Sequence, residues 1–139
     1  MNKKEKWVKS YFLIGQKAIV FDNNSNILLL RRSQKTPRPG GWDFIGGGLN
    51  KNESAIDGIK REIKEEAGIN VVNIKPITIT NHKEEKDSVV LIFYSAKAKS
   101  KKVKLSWEHD DYKWVSKKDI LKLKIPTAMR KIIKTYYEK

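Results

Sequence analysis

Three carboxylates at helical spacing inside a lysine-rich chain constrain this sequence more than any other feature. Residues 47–69 run Gly-Gly-Leu-Asn-Lys-Asn-Glu-Ser-Ala-Ile-Asp-Gly-Ile-Lys-Arg-Glu-Ile-Lys-Glu-Glu-Ala-Gly-Ile. Glu62, Glu65 and Glu66 stand at i, i+3 and i+4, which places them on one face of a helix. Crowded acids raise one another's pKa unless a cation sits among them. Hard oxygen ligands on a rigid helix suit Mg²⁺ or Mn²⁺. The competing reading is a solvated face on which Lys60, Arg61 and Lys64 pair with the acids. A formal net charge of +14 makes so concentrated a patch of acid conspicuous.

The same segment predicts its own packing. A helix opens near Glu53, with Asn52 or Ser54 as cap, and stops at Gly68 as a C′ glycine. Ile56, Ile59, Ile63 and Ala67 make an apolar stripe beside the acids, so one side packs on a sheet while the carboxylates look into a cleft. Gly58, one turn before Glu62, costs such a helix roughly 1 kcal/mol relative to Ala; extra room is one reading of it and drift without a purpose is the other.

Around this helix the pattern is that of strands. Tyr11 to Phe21 is apolar and partly β-branched, 22–26 is a turn cluster and Ile27 to Leu30 is apolar again, a hairpin signal closed by Arg31 and Arg32. Pro37, Pro39, Gly40 and Gly41 mark a loop. Trp42 to Ile45 reads as a short strand, and Gly46-Gly47-Gly48 lets the backbone bend and approach a ligand closely. Val71 to Thr80, Ser88 to Ala98 and Tyr112 to Val115 read as further strands. Ser116, with Asp119 at the capping-box position, opens a helix. Pro126 starts a last one with Ile132, Ile133 and Tyr136 as its buried stripe. Trp42 and Trp114 sit in apolar strand contexts and read as core, whereas Trp7, Tyr11, Phe12 and Trp107 are not assigned by their contexts. Strands on both sides of one long helix, with helices at the end, give an α/β fold, an α/β/α sandwich.

Composition sets outer bounds. A chain of 139 residues with 39% hydrophobic content and four Trp suits one domain, residues 1–139. No apolar run approaches the roughly 20 residues of a membrane span, and no apolar stretch follows the basic N-terminus as in a signal peptide, so a cytoplasmic protein is expected. With no cysteine, disulfides, thiolate nucleophiles and Cys-type zinc sites are excluded, and carboxylates become the metal ligands to consider. The Lys and Arg excess attracts phosphates of any kind. It is spread along the chain, as on a solvated lysine-biased surface, rather than interleaved with aromatics along a track, so a nucleic-acid partner is not expected.

The full spacing resolves the ambiguity of the acidic helix. Gly47, five residues, Glu53, seven residues, Arg61-Glu62-Ile63, one residue, Glu65-Glu66, one residue and Gly68-Ile69 match every fixed position of the Nudix box. The chain resembles a MutT-type Nudix hydrolase, and the resemblance extends to Trp42–Gly47 and to a Tyr-x-Trp-Val strand at Tyr112–Val115. It implies the Nudix α/β/α sandwich with a mixed sheet. It also implies cleavage of nucleoside diphosphates linked to another moiety, by attack of metal-activated water on phosphorus. Ile45 stands where Pro is usual before the glycines, and Asn52 where Gly is usual before the Glu. Asn tolerates the left-handed conformation that such a place asks for.

Carried over position by position, Glu62, Glu65 and Glu66 resemble the metal ligands, joined by the carbonyl of Gly46. Glu62 and Glu66 are both candidates to take the proton from water. Arg61, with Glu65 as its i, i+4 partner, is expected to orient carboxylates through a bidentate pair. Glu53 is expected to project from the opposite side of the helix and serve as a structural partner for Arg or for amides near the glycines. Glu108, six residues before Trp114, stands where some relatives place a fourth carboxylate, with Asp110 and Asp111 as rivals. Arg31 and Arg32 alternate faces, so one reaches substrate phosphate and the other meets solvent, and Gly47 belongs with them at the substrate. His82 and His109 read as surface or loop histidines.

The expected activity is Mg²⁺- or Mn²⁺-dependent pyrophosphohydrolysis of a nucleoside triphosphate or another nucleoside diphosphate derivative, by a monomer or homodimer acting on a small nucleotide. A dinucleoside polyphosphate hydrolase is an alternative, since Glu-His-x-x-Tyr-x-Trp resembles a segment of those enzymes, but the Pro-Lys-Gly form common there is missing at the glycines. An ADP-ribose pyrophosphatase is another, without the downstream proline that subgroup often carries. A non-catalytic, RNA-binding Nudix module is the alternative of a different class. It has no need of three crowded acids.

Overall fold

The four-residue run Ile27-Leu28-Leu29-Leu30 is wholly buried. That is possible only if both faces of its strand are covered. A computed structural model shows how, describing residues 10–137 and, at Glu84, the backbone alone. Trp7 lies outside the described residues. The elements in order are β1 (Phe12–Phe21), β2 (Ile27–Arg32), β3 (Trp42–Asp43), β4 (Ile45–Gly48), α1 (Ala55–Ala67), β5 (Val71–Glu84), β6 (Asp87–Ala98), β7 (His109–Val115), α2 (Lys117–Ile120) and α3 (Thr127–Tyr136). Seven strands form one mixed sheet, β1 running parallel to β6 and antiparallel to its other partners.

The two faces are sorted by the period of 2 along each strand. Ala18, Val20, Leu28, Leu30, Tyr94 and Ala96 pack under α1 against Ile59, Ile63 and Ala67. Ile19, Ile27, Leu29 and Phe93 face the other way, against Ile120 of α2 and Met129, Ile132 and Ile133 of α3. This is the expected α/β/α sandwich with a mixed sheet.

One departure from a plain meander creates the site. β1 and β2 pair at their hairpin, Phe21 with Ile27. Beyond it, residues 42–48 enter between them: β3 pairs with β2 at Leu30 and Arg31, and β4 pairs with β1 from Gly15 to Ala18. The glycines at 46–48 are thus paired in a strand, which continues past the expected end at Ile45. Gly46 is pressed so hard on β1 that a Cβ there would lie 1.9 Å from the carbonyl oxygen of Gln16. No side chain fits this position.

Several local expectations are refined. Ser54, not Asn52, caps α1, accepting from the Asp57 N–H at 3.1 Å, while Asn52 takes the left-handed conformation at φ 68° and Gly68 ends the helix at φ 67°. Ile56 is exposed and falls outside the stripe made by Ile59, Ile63 and Ala67, because Ser54 starts the helix with Ile56 turned outward. In α3 the buried residues are Met129, Ile132 and Ile133, and Tyr136 is exposed. Its neighbour Tyr137 packs edge-on against Phe21 with ring centroids 5.1 Å apart. β7 begins at His109, earlier than Tyr112, since β2 offers partners as far as Arg32. Trp42 and Trp114 pack against the two core clusters, whereas Tyr11, Phe12 and Trp107 are exposed.

Leu29→Ala and Leu30→Ala, on opposite faces of β2, are each expected to lower stability by about 2–5 kcal/mol through the cavities they leave. Ile56→Ala is expected to change it by less than about 0.5 kcal/mol. Urea unfolding of the three variants checks the assignment, and a costly Ile56→Ala would contradict it.

Candidate active site

The site lies where α1 passes over the paired strands β1 and β4. Glu62 and Glu66 are buried on this side of the helix, and Glu65 sits on its exposed rim. The expected common face is therefore split: two acids look down onto the glycines and one looks out. The carboxylate of Glu62 lies where a Cβ on Gly47 would be, at 2.5 Å from its Oε1. The N–H of Gly46 donates to Oε1 of Glu66 at 3.3 Å. Both acids approach the backbone closely because the residues beneath them have no side chain.

Arg61 holds this arrangement through five hydrogen bonds. Its Nε and Nη2 form a fork on Glu53 at 2.9 and 2.8 Å, Nη1 donates to Glu62 and to Glu65 at 3.1 Å each, and Nη2 also donates to the carbonyl of Gly48 at 3.1 Å. The bidentate pair is made with Glu53, not with Glu65. Glu53 precedes α1, so it does not project from the helix at all. It also accepts from the N–H of Asn50 at 2.8 Å. The guanidinium of Arg61 and that N–H hold the Glu53 carboxyl down at about 2.

Glu66 is the opposite case. Burial pushes its carboxyl up to about 8, against the stabilising field of Lys17 and the Gly46 N–H, with Glu62 and Glu108 pushing it further. Glu108, just ahead of β7, thereby belongs to the electrostatic neighbourhood of the acids. Its rivals are engaged elsewhere: Asp110 and Asp111 face Arg31 at 2.7 and 3.9 Å. Arg31 also lies over the ring of Trp42. Arg32 donates from Nε to the Pro37 carbonyl and adds to the field at His109.

Four residues of this region escaped the sequence reading of the site. Lys17 of β1 pairs with Asp43 of β3 at 2.9 Å, both side chains mostly buried. His109 is buried, not on the surface, with Nδ1 lacking a hydrogen-bond partner. Burial, then Lys17 and Arg32, depress its pKa. Gln16 is fully buried beneath α1. The signal for two of these was visible, since Gln16 and Lys17 interrupt an otherwise apolar strand.

Among the described residues no three acids or histidines are drawn together as a ready ligand cage. Oxygens of Glu62 and Glu65 are occupied by Arg61, and one of Glu66 by the Gly46 N–H. The donor chemistry nonetheless fits a hard divalent ion: several carboxylates, one of them buried with its proton held far too tightly, are the imbalance that such an ion relieves.

The NUDIX domain model matches residues 13–136. The chain belongs to the Nudix hydrolases. The nucleoside triphosphatase NudI of Escherichia coli is 32% identical over 108 residues, 69% of this chain and 76% of NudI. A MutT protein from Methanosarcina mazei is 32% identical, with a TM-score of 0.77 over 93% of this chain and 95% of its own. The Nudix domain of Shewanella oneidensis NrtR, crystallised with ADP ribose, has a TM-score of 0.78 over 99% of this chain and 94% of its own. At 19% identity that likeness is one of fold.

The raised pKa of Glu66 carries a stability prediction for metal-free protein. Between the ordinary 4.5 and about 8 the folded state holds a proton that the unfolded state has released, so the contribution of Glu66 is complete below 4.5 and lost as pH rises through about 8. Relative to Glu66→Gln, wild-type protein in a chelator should lose stability across that window. Urea midpoints at a series of pH values read it, and parallel curves would refute the burial of an uncompensated acid.

Proposed function

We propose that this chain is a Mg²⁺- or Mn²⁺-dependent pyrophosphohydrolase that cleaves a nucleoside triphosphate, or a related nucleoside diphosphate derivative, by attack of water on phosphorus. The observation that carries this reading is the position of Glu66, a carboxyl buried against the Gly46 N–H with Glu62 and Glu108 in its field. An acid so placed is costly to a fold unless its charge is used.

Glu62, Glu65, Glu66 and the carbonyl of Gly46 would hold the ion, with Glu108 as a further acid. The chemistry a divalent cation supplies in such a site is neutralisation of a phosphate chain and acidification of the attacking water. The residues themselves do the rest. Arg61 orients Glu62 and Glu65 and, through Glu53, ties them to the chain before the helix. Glu62 or Glu66 in its ionised form accepts the proton of the water. Arg32 is the better placed of the two arginines for substrate phosphate, since Arg31 is held by Asp110 and Asp111. The 32% identity to NudI, itself a nucleoside triphosphatase, supports a small nucleotide as substrate.

Purified protein with Mg²⁺ or Mn²⁺, screened against nucleotides with chromatographic separation of products, should cleave a phosphoanhydride bond. Glu66→Gln should lower turnover at least ~10²-fold, in the range of losing a charge-stabilising group. Full activity in that variant would remove Glu66 from the site. Absence of all nucleotide cleavage, together with tight single-stranded RNA binding that persists at near-physiological salt, would favour a binding module instead.

The fourth acid has its own test. Glu108→Ala should lower turnover with little change in thermal stability, whereas Asp110→Ala and Asp111→Ala, which free Arg31 and, at Asp111, the Tyr112 N–H, should leave turnover near wild type. Loss of turnover in the Asp variants alone would move the assignment to them.

A further inference from the structure

Gln16 is a polar side chain with no exposure at all, which with Lys17 interrupts an otherwise apolar strand. Its amide nitrogen makes two hydrogen bonds of 2.8 Å, one to the carbonyl of Ala55 in the first turn of α1 and one to the phenol oxygen of Tyr94 on β6. Its amide oxygen accepts no hydrogen bond. That oxygen instead occupies the space in front of Gly58, at 2.7 Å from where a Cβ on that glycine would be, beside Leu49 Cδ1 at 2.6 Å. Gly58 thus provides no spare room. It is the place where the helix comes down on Gln16.

Gly58, Glu62 and Glu66 follow one another at four-residue steps and so form a single row along α1. Beneath the row lie, in order, the Gln16 amide at Gly58, Gly47 at Glu62 and Gly46 at Glu66. Gly47 and Gly46 are the partners of Gln16 and Lys17 in the β1–β4 pairing. Along this row the helix meets the strand pair at three points, beside its apolar packing on Ala18, Val20 and Ile45, and at each of the three one surface has no Cβ. Two contacts involve the acids themselves. The third, at Gln16, is the only one of the three made away from them.

We propose that Gln16 is a positioning residue that sets the height and register of α1 over β1 and β4, and through them the placement of Glu62 and Glu66 at Gly47 and Gly46. This rests on the assignment of those acids to a metal-dependent hydrolase site. The amide is suited to the task because it bonds the helix at Ala55 and the sheet at Tyr94 at the same time, so α1 cannot slide or lift without breaking the partly buried bond to Ala55 or pulling the amide off Tyr94. An apolar side chain of similar length fills the volume but permits sliding. A Cβ at Gly58 lifts the helix or displaces Gln16 and Leu49.

The test uses Gln16→Met, Tyr94→Phe and Gly58→Ala in the full chain, at a temperature where circular dichroism shows each to be folded. Mn²⁺ affinity is measured by isothermal titration calorimetry without nucleotide, and kcat and KM are then measured on the nucleotide that wild type cleaves. Supporting groups around ligands typically contribute 10–100-fold to metal affinity or activity. Mn²⁺ binding should weaken by about 10-fold in Gln16→Met and Gly58→Ala, and by less in Tyr94→Phe, with kcat falling and KM changing little. Purely structural damage would instead lower the melting temperature and leave Mn²⁺ affinity and kcat of the folded protein at wild-type values, and that result overturns the proposal. If Gln16→Met does not fold, Gly58→Ala and Tyr94→Phe decide by the same readouts. Failure of wild type to cleave any nucleotide would overturn the proposed function, whereas wild-type cleavage with unchanged Mn²⁺ affinity in the variants overturns only the role of Gln16.

Discussion

One guanidinium organises the acidic end of this molecule. Arg61 gives five hydrogen bonds to oxygens of Glu53, Glu62, Glu65 and Gly48. Planar and permanently charged, it forks onto one carboxylate while bonding two others, a bidentate geometry that the point charge of a lysine does not offer. Without it, three acids within little more than one helical turn would face each other across a low-dielectric boundary, and the chain ahead of α1 would lose its tie to the helix. With it, two acids are oriented and Glu66, which receives no bond from Arg61, is left to carry the electrostatic cost.

That cost falls at a place where the backbone is bare. The glycines at 46 and 47 are demanded by contacts: one faces a main-chain carbonyl and the other a carboxylate. They bring peptide groups against the acids, so that a buried Glu66 has the Gly46 N–H as its partner. The split between β1 and β2, filled by residues 42–48, is what carries these peptides under the helix. Fold and site are in this sense one construction. The wedge that completes the sheet is also the floor beneath Glu62 and Glu66.

The basic surface can be placed in the same frame. Most of the excess charge sits on exposed lysines, while the cations near the acids are few and specifically held: Lys17 by Asp43, Arg31 by Asp110, and Arg61 by its acids. A general positive field draws phosphate toward the molecule, and under the proposed function the local acids would then favour phosphate accompanied by a divalent ion. No helix among the described residues is long and apolar enough to cross a membrane.

The sequence alone determined the elements whose causes are local. Periodicity placed α1 and its end at Gly68, the strands and the α/β/α layering, because helix and strand periods and cap residues act over a few neighbours. The spacing of Glu53, Arg61, Glu62, Glu65 and Glu66 likewise marked the family, since it lies within one continuous segment. What only the tertiary structure decided are matters of contact between segments distant in the chain. Whether Glu65 shares the cleft with Glu62 and Glu66, whether Arg61 forks onto Glu65 or Glu53, and whether His109 is buried all depend on which strand passes beneath or beside them. The contact of Gly58 with Gln16 and the pairing of 46–48 with β1 are likewise decided between distant segments. A glycine's purpose is defined by the atom opposite it, and for Gly46 and Gly58 that atom belongs to Gln16, on a strand 30 and 42 residues earlier in the chain.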